Sequence, residues 1–256
     1  MIQGIDHLVV VVNDLDQAIR DYRELGFTVV AGGQHPVGSH NALIAFADGS
    51  YLEIIAFYRE ARDHRWWEPL GKGERFVDFC FQTDDLRSDT QKLRNAGVAI
   101  NDPVPWTRKR PDGYELKWLL SLVTGSQRGV APFLIQDLTP RSERIPQKFE
   151  HPNQATGIEK VTVAAAEVAS VKKWYDSLLQ TTARPISSPD LHAEGLCFDV
   201  GPHVMEFLVP CEPSSPLANW LDRFGPSPYS AVLTAKNASP TLLDARLTHG
   251  AQLFIR

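Results

Sequence analysis

Cysteine is scarce in this chain of 256 residues. Three thiols, Cys80, Cys197 and Cys211, are too few and too scattered for a disulfide scaffold or a cysteine-type zinc finger. Cys80 and Cys197 stand in apolar, strand-like runs, which reads as buried free thiols in a reducing compartment. Long hydrophobic runs are missing too. No stretch approaches the ~18 apolar residues of a membrane span. The opening MIQGIDHLVVVV has no basic stretch ahead of its short apolar run, as a secretory signal would. A cytoplasmic protein is expected. There is no positive excess either: 26 Lys and Arg face 31 Asp and Glu, a formal net charge of −5. Bulk charge therefore argues against nucleic acid or an anionic membrane as partner. What remains is a chain 43% hydrophobic, long enough for one large or two ordinary domains with a substantial core.

The strongest internal signal is a repeat. Ile158 stands 153 residues after Ile5, and the same shift lays Gly157 on Gly4, Tyr175 on Tyr22 and Leu178 on Leu25. It also lays EGLCFDVGPHVMEFL on NALIAFADGSYLEII, so that Leu196 meets Leu43 and Glu206 meets Glu53 without a gap. A shorter period lies inside the first half. Leu15, Ile19, Tyr22 and Gly26 are spaced like Leu86, Thr90, Leu93 and Gly97, which gives each segment one helical face for a sheet. Asn13–Asp14 and Asp84–Asp85 supply caps for the helix starts. Turns such as Asp48–Gly49 and Pro111–Asp112–Gly113 bound the strands that follow. The unit is β-α-β-β-β, with copies at 1–58, 74–139, 155–210 and 227–256. The last is cut to a strand, a helix and one more strand. Polar residues 140–154, with three prolines, read as the linker between a first half (1–145) and a second (155–256).

Two polar side chains interrupt apolar strands in the first copy: His7 in GIDHLVVVV and Glu53 in SYLEIIAF. A carboxylate on a half-buried strand face costs several kcal/mol unless it is paired or metal-bound. Taken alone, Glu53 reads as an ion pair or as a ligand or general base, and both stay open. The repeat adds weight to the second, because Asp78 stands eight residues before Leu86 as His7 stands eight before Leu15. One imidazole and two carboxylates at matched strand positions suit a divalent cation. In the second half the corresponding pair is Lys160 and Glu206, expected as an ion pair in a site that has lost its metal. Other candidates are His40 for acid–base work and Asn41, Arg110, Lys117 and Trp118 for substrate. Arg110 carries a planar fork suited to an oxyanion. Trp66–Trp67 reads as a pocket lid or as packing of the crossover.

These paired units, the opening IDHLVVVVNDLDQAI and the strand DGSYLEII resemble the vicinal oxygen chelate superfamily. It includes glyoxalase I, methylmalonyl-CoA epimerase, extradiol dioxygenases and drug-resistance proteins. GSHNALIAFADGSYLEIIA, RPDGYELKWLL and PFLIQD resemble more narrowly its glyoxalase-like domain proteins. The resemblance implies an α+β fold of tandem βαβββ modules, with curved mixed sheets and helices outside. It implies ligands from first and last strands: His7, Glu53 and Asp78, with Gln136, Asp137 or water in a fourth position. It implies Glu53 as base; His40, at the start of its strand, reads either as a further catalytic residue or as a turn residue in GSHN. A set of one histidine and two carboxylates favours Mn, Fe or Mg without excluding Zn or Ni. The expected function is a metal-dependent lyase or isomerase acting on a small oxygen-rich molecule. The alternatives are a metal-free ligand-sequestering protein of the bleomycin-resistance type and an extradiol-type dioxygenase. The second half is expected to complete the fold or to mediate homodimerisation.

Overall fold

The structure, a computed structural model, describes residues 1–110, 113–236 and 239–256. Pro111 and Asp112 of the turn expected there lie outside them. The first copy of the repeat is β1 (Ile2–Val11), α1 (Leu15–Glu24), β2 (Val30–Gln34), β3 (Ser39–Ala45) and β4 (Tyr51–Phe57). A short helix α2 (Trp67–Gly71) leads to the second copy, made of β5 (Arg75–Thr83), α3 (Leu86–Asn95), β6 (Val104–Lys109), β7 (Glu115–Ser121) and β8 (Phe133–Asp137). Both helices start where the repeat puts them. Asp14 and Asp85 cap them by accepting the backbone N–H of Gln17 and Ser88. Gly26 and Gly97 follow them in the left-handed region that lets the chain leave a helix.

After α4 (Arg141–Arg144) the third copy is β9 (Ala155–Ala164), α5 (Ala169–Leu179), β10 (Arg184–Ser188), β11 (Ala193–Val200) and β12 (His203–Pro210). Helix α6 (Pro216–Phe224) precedes β13 (Ser227–Ala235), β14 (Thr241–Leu242) and β15 (Gln252–Ile255). The sheets run β2-β3-β4-β1-β5-β8-β7-β6 and β10-β11-β12-β9-β13-β15-β14. The α+β architecture of tandem βαβββ modules is therefore present.

Two expectations change. The fourth copy has no helix between its strands among the described residues. The Asp244 carboxylate accepts the Arg246 N–H and grips its guanidinium, so a side-chain turn replaces a helix start. Residues 140–154 are a packed segment rather than a loose linker. Arg144 is buried between carboxylates, and Ile145 joins a buried cluster with Leu43, Ala45 and Tyr51. His151 is held at both ring nitrogens, by the Thr28 N–H and the Ala45 carbonyl.

By compactness the chain forms two units. One comprises Met1–Asp6, Asp78–Arg144 and Lys160–Tyr229. Its core holds the rings of Phe81, Tyr175, Phe198 and Phe207, and the Tyr175 hydroxyl donates to the Val130 carbonyl. Buried Tyr and Trp need such a partner for the polar tip. The other unit comprises His7–Val77, Ile145–Glu159 and Ser230–Arg256, with Leu8, Val10, Tyr22, Ile44, Leu52 and Ile54 at its centre.

Candidate functional site

In the unit that starts at His7, β1 pairs parallel with β4, setting His7 beside Tyr51 and Val9 beside Glu53. β4 pairs antiparallel with β3, setting Leu43 beside Glu53 and Asn41 beside Ile55. Side chains alternate along strands, so His7, Asn41, Tyr51, Glu53 and Phe57 share one face. Both polar interruptions noted in the sequence thus converge. His7 Nε2 lies 3.4 Å from Glu53 Oε2, and Asn41 Nδ2 donates to Glu53 Oε1 at 2.6 Å. Asn41 Oδ1 accepts the Gly33 N–H at 3.0 Å, which fixes which end of the amide faces the carboxylate. The His7 ring stacks on Tyr51 at 4.6 Å. All four side chains are buried.

A β-bulge beside Asn41 makes this arrangement possible. The β2–β3 register shifts between Ala31 and Gly33. At Gly32 a Cβ would come within 2.0 Å of Asn41 Oδ1. Only glycine lets the backbone pass that close.

His40 lies one residue from Asn41 and therefore on the other face of β3, with its ring edge-on to Tyr58. Asp78 lies on β5, in the other compact unit. It is buried, and its Oδ1 accepts the N–H of Phe79. Arg110 donates to Glu143 at 2.6 Å and covers the Tyr114 ring, while Lys117 pairs with Glu115 at 2.8 Å. Two of the residues expected to bind substrate thus already carry carboxylate partners. That salt bridge also raises the Lys117 pKa. Trp118 faces Trp106 across β6 and β7, half-buried.

The strand registers revise the expected fourth position. Cys80 pairs with Phe133 as Val9 pairs with Glu53, so Phe133 is the second copy's counterpart of the glutamate. Gln136 and Asp137 lie farther along and are occupied. Gln136 accepts the Leu86 N–H at the start of α3, and Asp137 grips Arg144. The third copy keeps the register of the first, with Lys160 beside Val204 and Thr162 beside Glu206. Lys160 and Glu206 form the ion pair expected of them, 3.0 Å apart, and the Thr162 hydroxyl donates to the same carboxylate. The single offset of 153 does not survive in the neighbouring strand. Cys197, not Leu196, faces Glu206 as Leu43 faces Glu53, so 154 is the spatial offset there. Gly195 then stands where the first copy has Asn41, and no amide among the described residues holds Glu206.

One histidine to which the sequence gave no role packs on Phe57, four residues along β4 from Glu53 and on the same face of that strand. His64 packs edge-on against Phe57 at 4.8 Å and beside Trp66 at 5.3 Å. Its Nδ1 accepts the Trp66 N–H at 3.3 Å. Burial, with the His35 charge second, pushes its pKa down to about 4, against a pull upward from Glu53. Trp67 also packs edge-on against Phe57, so the Trp66–Trp67 segment covers the end of β4. Cys80 is fully buried, and that burial drives its thiol well above the ordinary range. No helix among the described residues is long and apolar enough to cross a membrane.

Comparison with known proteins agrees with this architecture. The glyoxalase-like domain family model matches residues 5–179. No curated protein matches the chain. A hypothetical protein from Staphylococcus aureus superposes with a TM-score of 0.70 at 17% identity, covering 98% of both chains. A triple mutant of 4-hydroxymandelate synthase from Streptomyces coelicolor gives 0.60 at 15% identity, over 93% of this chain and 72% of its own. A fusion of a xylose isomerase-like TIM barrel with 4-hydroxyphenylpyruvate dioxygenase gives 0.56 at 12% identity, over 93% and 37%. At such identities these structures are similar in fold, the vicinal oxygen chelate fold, and in nothing finer. With the family model spanning more than half of its length, the chain belongs to the glyoxalase-like domain family.

Proposed function

We propose that the chain is a metal-dependent enzyme of lyase or isomerase type, acting on a small oxygen-rich molecule at the face that carries His7 and Glu53. The observation that supports it is a buried carboxylate presented to an imidazole and oriented by an amide. The donor set fits a divalent cation of the Mn, Fe, Ni, Zn or Mg group. Two donors each ~2.1 Å from one ion, at a tetrahedral angle, are roughly 3.4 Å apart. His7 Nε2 and Glu53 Oε2 have that separation. Such a cation, when bound, would polarise neighbouring substrate oxygens and acidify the adjacent C–H.

The chain's own residues supply the rest. Asn41 holds Oε1, and Glu53 takes the proton from carbon through Oε2, which as base would be free of the cation rather than ligating it. The stacked Tyr51 fixes the His7 ring plane. Val9 and Ile55, buried on either side, keep water from the carboxylate.

A second reading is favoured by Phe133. An apolar ring at the partner copy's glutamate position removes a ligand, as a metal-free ligand-sequestering protein would tolerate. Extradiol-type oxygen chemistry is less supported, because its usual second histidine has no counterpart at Asp78.

Protein purified without chelators is expected to carry about one equivalent of divalent metal by elemental analysis. Glu53→Gln is expected to abolish solvent-deuterium exchange into a panel of 2-oxo and 2-hydroxy acids, with an unchanged circular dichroism spectrum. Full exchange by the Gln variant removes Glu53 as base. Absence of metal, together with tight binding and no exchange, selects the sequestering reading.

A further inference from the structure

Beyond the His7–Glu53 pair, we propose that His64 is an uncharged hydrogen-bond donor of the same site, offering its Nε2–H to an oxygen of the bound molecule. The proposal rests on the reading that this face binds a small oxygen-bearing ligand. Three observations carry it.

The first is placement. Strand alternation puts Phe57 on the face of β4 that carries Glu53, and the His64 ring sits edge-on to Phe57. The chain after β4 therefore doubles back over that face. It brings the imidazole within electrostatic reach of Glu53 and of His35, whose Nδ1 is 3.0 Å from Ser39 Oγ. Ser39 pairs with Phe57 across β3 and β4.

The second is the tautomer. His64 Nδ1 accepts the Trp66 N–H, and a neutral imidazole with one nitrogen accepting carries its proton on the other. Two backbone bonds anchor the loop around the ring, His64 N–H to the Ala61 carbonyl and Trp67 N–H to the His64 carbonyl. Nε2 itself has no hydrogen-bond partner among the described residues.

The third is charge. Half-burial beside Phe57 and Trp66 disfavours the imidazolium, as do His35 and the adjacent Arg65; Glu53 alone pulls the other way. A neutral ring does not pair with the Glu53 carboxylate as an imidazolium would. It leaves Glu53 available and still stabilises negative charge that develops on a substrate oxygen.

The test uses the full-length chain. Imidazole nitrogen resonances at pH 7 are expected to show His64 neutral, with its proton on Nε2. A proton on Nδ1, or a charged ring, overturns the proposal. Oxalate serves as the vicinal-oxygen probe, titrated by calorimetry with and without Mn²⁺. His64→Phe keeps the ring packing and removes the donor, and it is expected to weaken oxalate about tenfold, the worth of one hydrogen bond. His64→Gln keeps an N–H near Nε2 and is expected to stay within about threefold of the parent. Equal affinity in parent and His64→Phe overturns the donor role while the metal reading stands. If oxalate shifts the His64 resonance but no metal is taken up, the metal reading falls and the donor role stands. If oxalate moves neither His7 nor His64, both fall.

Discussion

A methyl group at position 32 would press against Asn41 Oδ1 at 2.0 Å, far inside contact distance. Asn41 cannot turn aside freely, because its oxygen holds the Gly33 N–H and its nitrogen holds Glu53. Gly32→Ala is therefore expected to destabilise the protein by about 1–3 kcal/mol, the usual cost of overfilling a packed site. A shift of the urea midpoint at unchanged slope measures it. An unchanged midpoint would mean that the bulge opens at no cost. At this scale the sequence is legible only where a residue breaks a pattern. His7 and Glu53 stand out because each interrupts an apolar strand, and Asn41 because it opens one. His64 does not, because it sits in an irregular stretch with no period to break, and its meaning comes from where the loop lands. Phe133 is hidden for the opposite reason. It continues an apolar run, so nothing in the sequence marks it as the place where a glutamate is missing.

Arg144 shows how a four-residue helix can matter to the strands around it. Its guanidinium donates to both oxygens of Asp137, at 2.6 and 2.9 Å, and to both oxygens of Asp6, at 3.1 and 2.8 Å. Asp6 lies on β1 and Asp137 ends β8, and both are largely shielded from water. Arg141 adds a second cation to Asp6. Arg144→Leu strands Asp137 without its partner. Breaking a buried pair by removing one member costs about 3–5 kcal/mol. Arg144→Lys is expected to recover only part of this loss, since one ammonium cannot engage two carboxylates as a fork does. Chemical denaturation of both variants checks the order; a Lys variant as stable as the parent would show that charge rather than geometry is what matters. The sequence marks residues 140–154 as polar and proline-bearing, which is true of a linker and equally true of a strap. Only the position of Asp6 and Asp137 on their strands separates the two. The one-residue slip between the first and third copies is of the same kind. The two copies join their third and fourth strands by turns of different length: Ala45 pairs with Tyr51 in one, Val200 with His203 in the other. An ungapped comparison of apolar letters does not register that difference, yet a slip of one exchanges the faces of a strand.

The stability of the whole molecule should record two shielded histidines, His64 and His151, as a slope with pH. The pKa of His64 is pushed down to about 4 by burial, and that of His151 is lowered by burial against the pull of the Ala45 carbonyl. In the unfolded chain both return to about 6.5. Between those limits the unfolded state binds more protons than the folded one, so stability rises with pH across that window. It is fully present above about pH 6.5 and lost as the solution is acidified toward pH 4. The carboxylates with lowered pKa values act elsewhere. Asp244, held by Arg246 and lowered to about 2, and Asp199, held by Arg184, lose their contribution only below the ordinary carboxylate range. The two windows are thus separable. Melting temperature followed from pH 7 to pH 4 is expected to fall in the parent and to fall less steeply in His64→Phe, which removes one of the two titrating rings while keeping its packing. Parallel curves for the two proteins would mean that the His64 imidazole is as easily charged in the folded state as in the unfolded one, and the burial that keeps it neutral would have no energetic consequence.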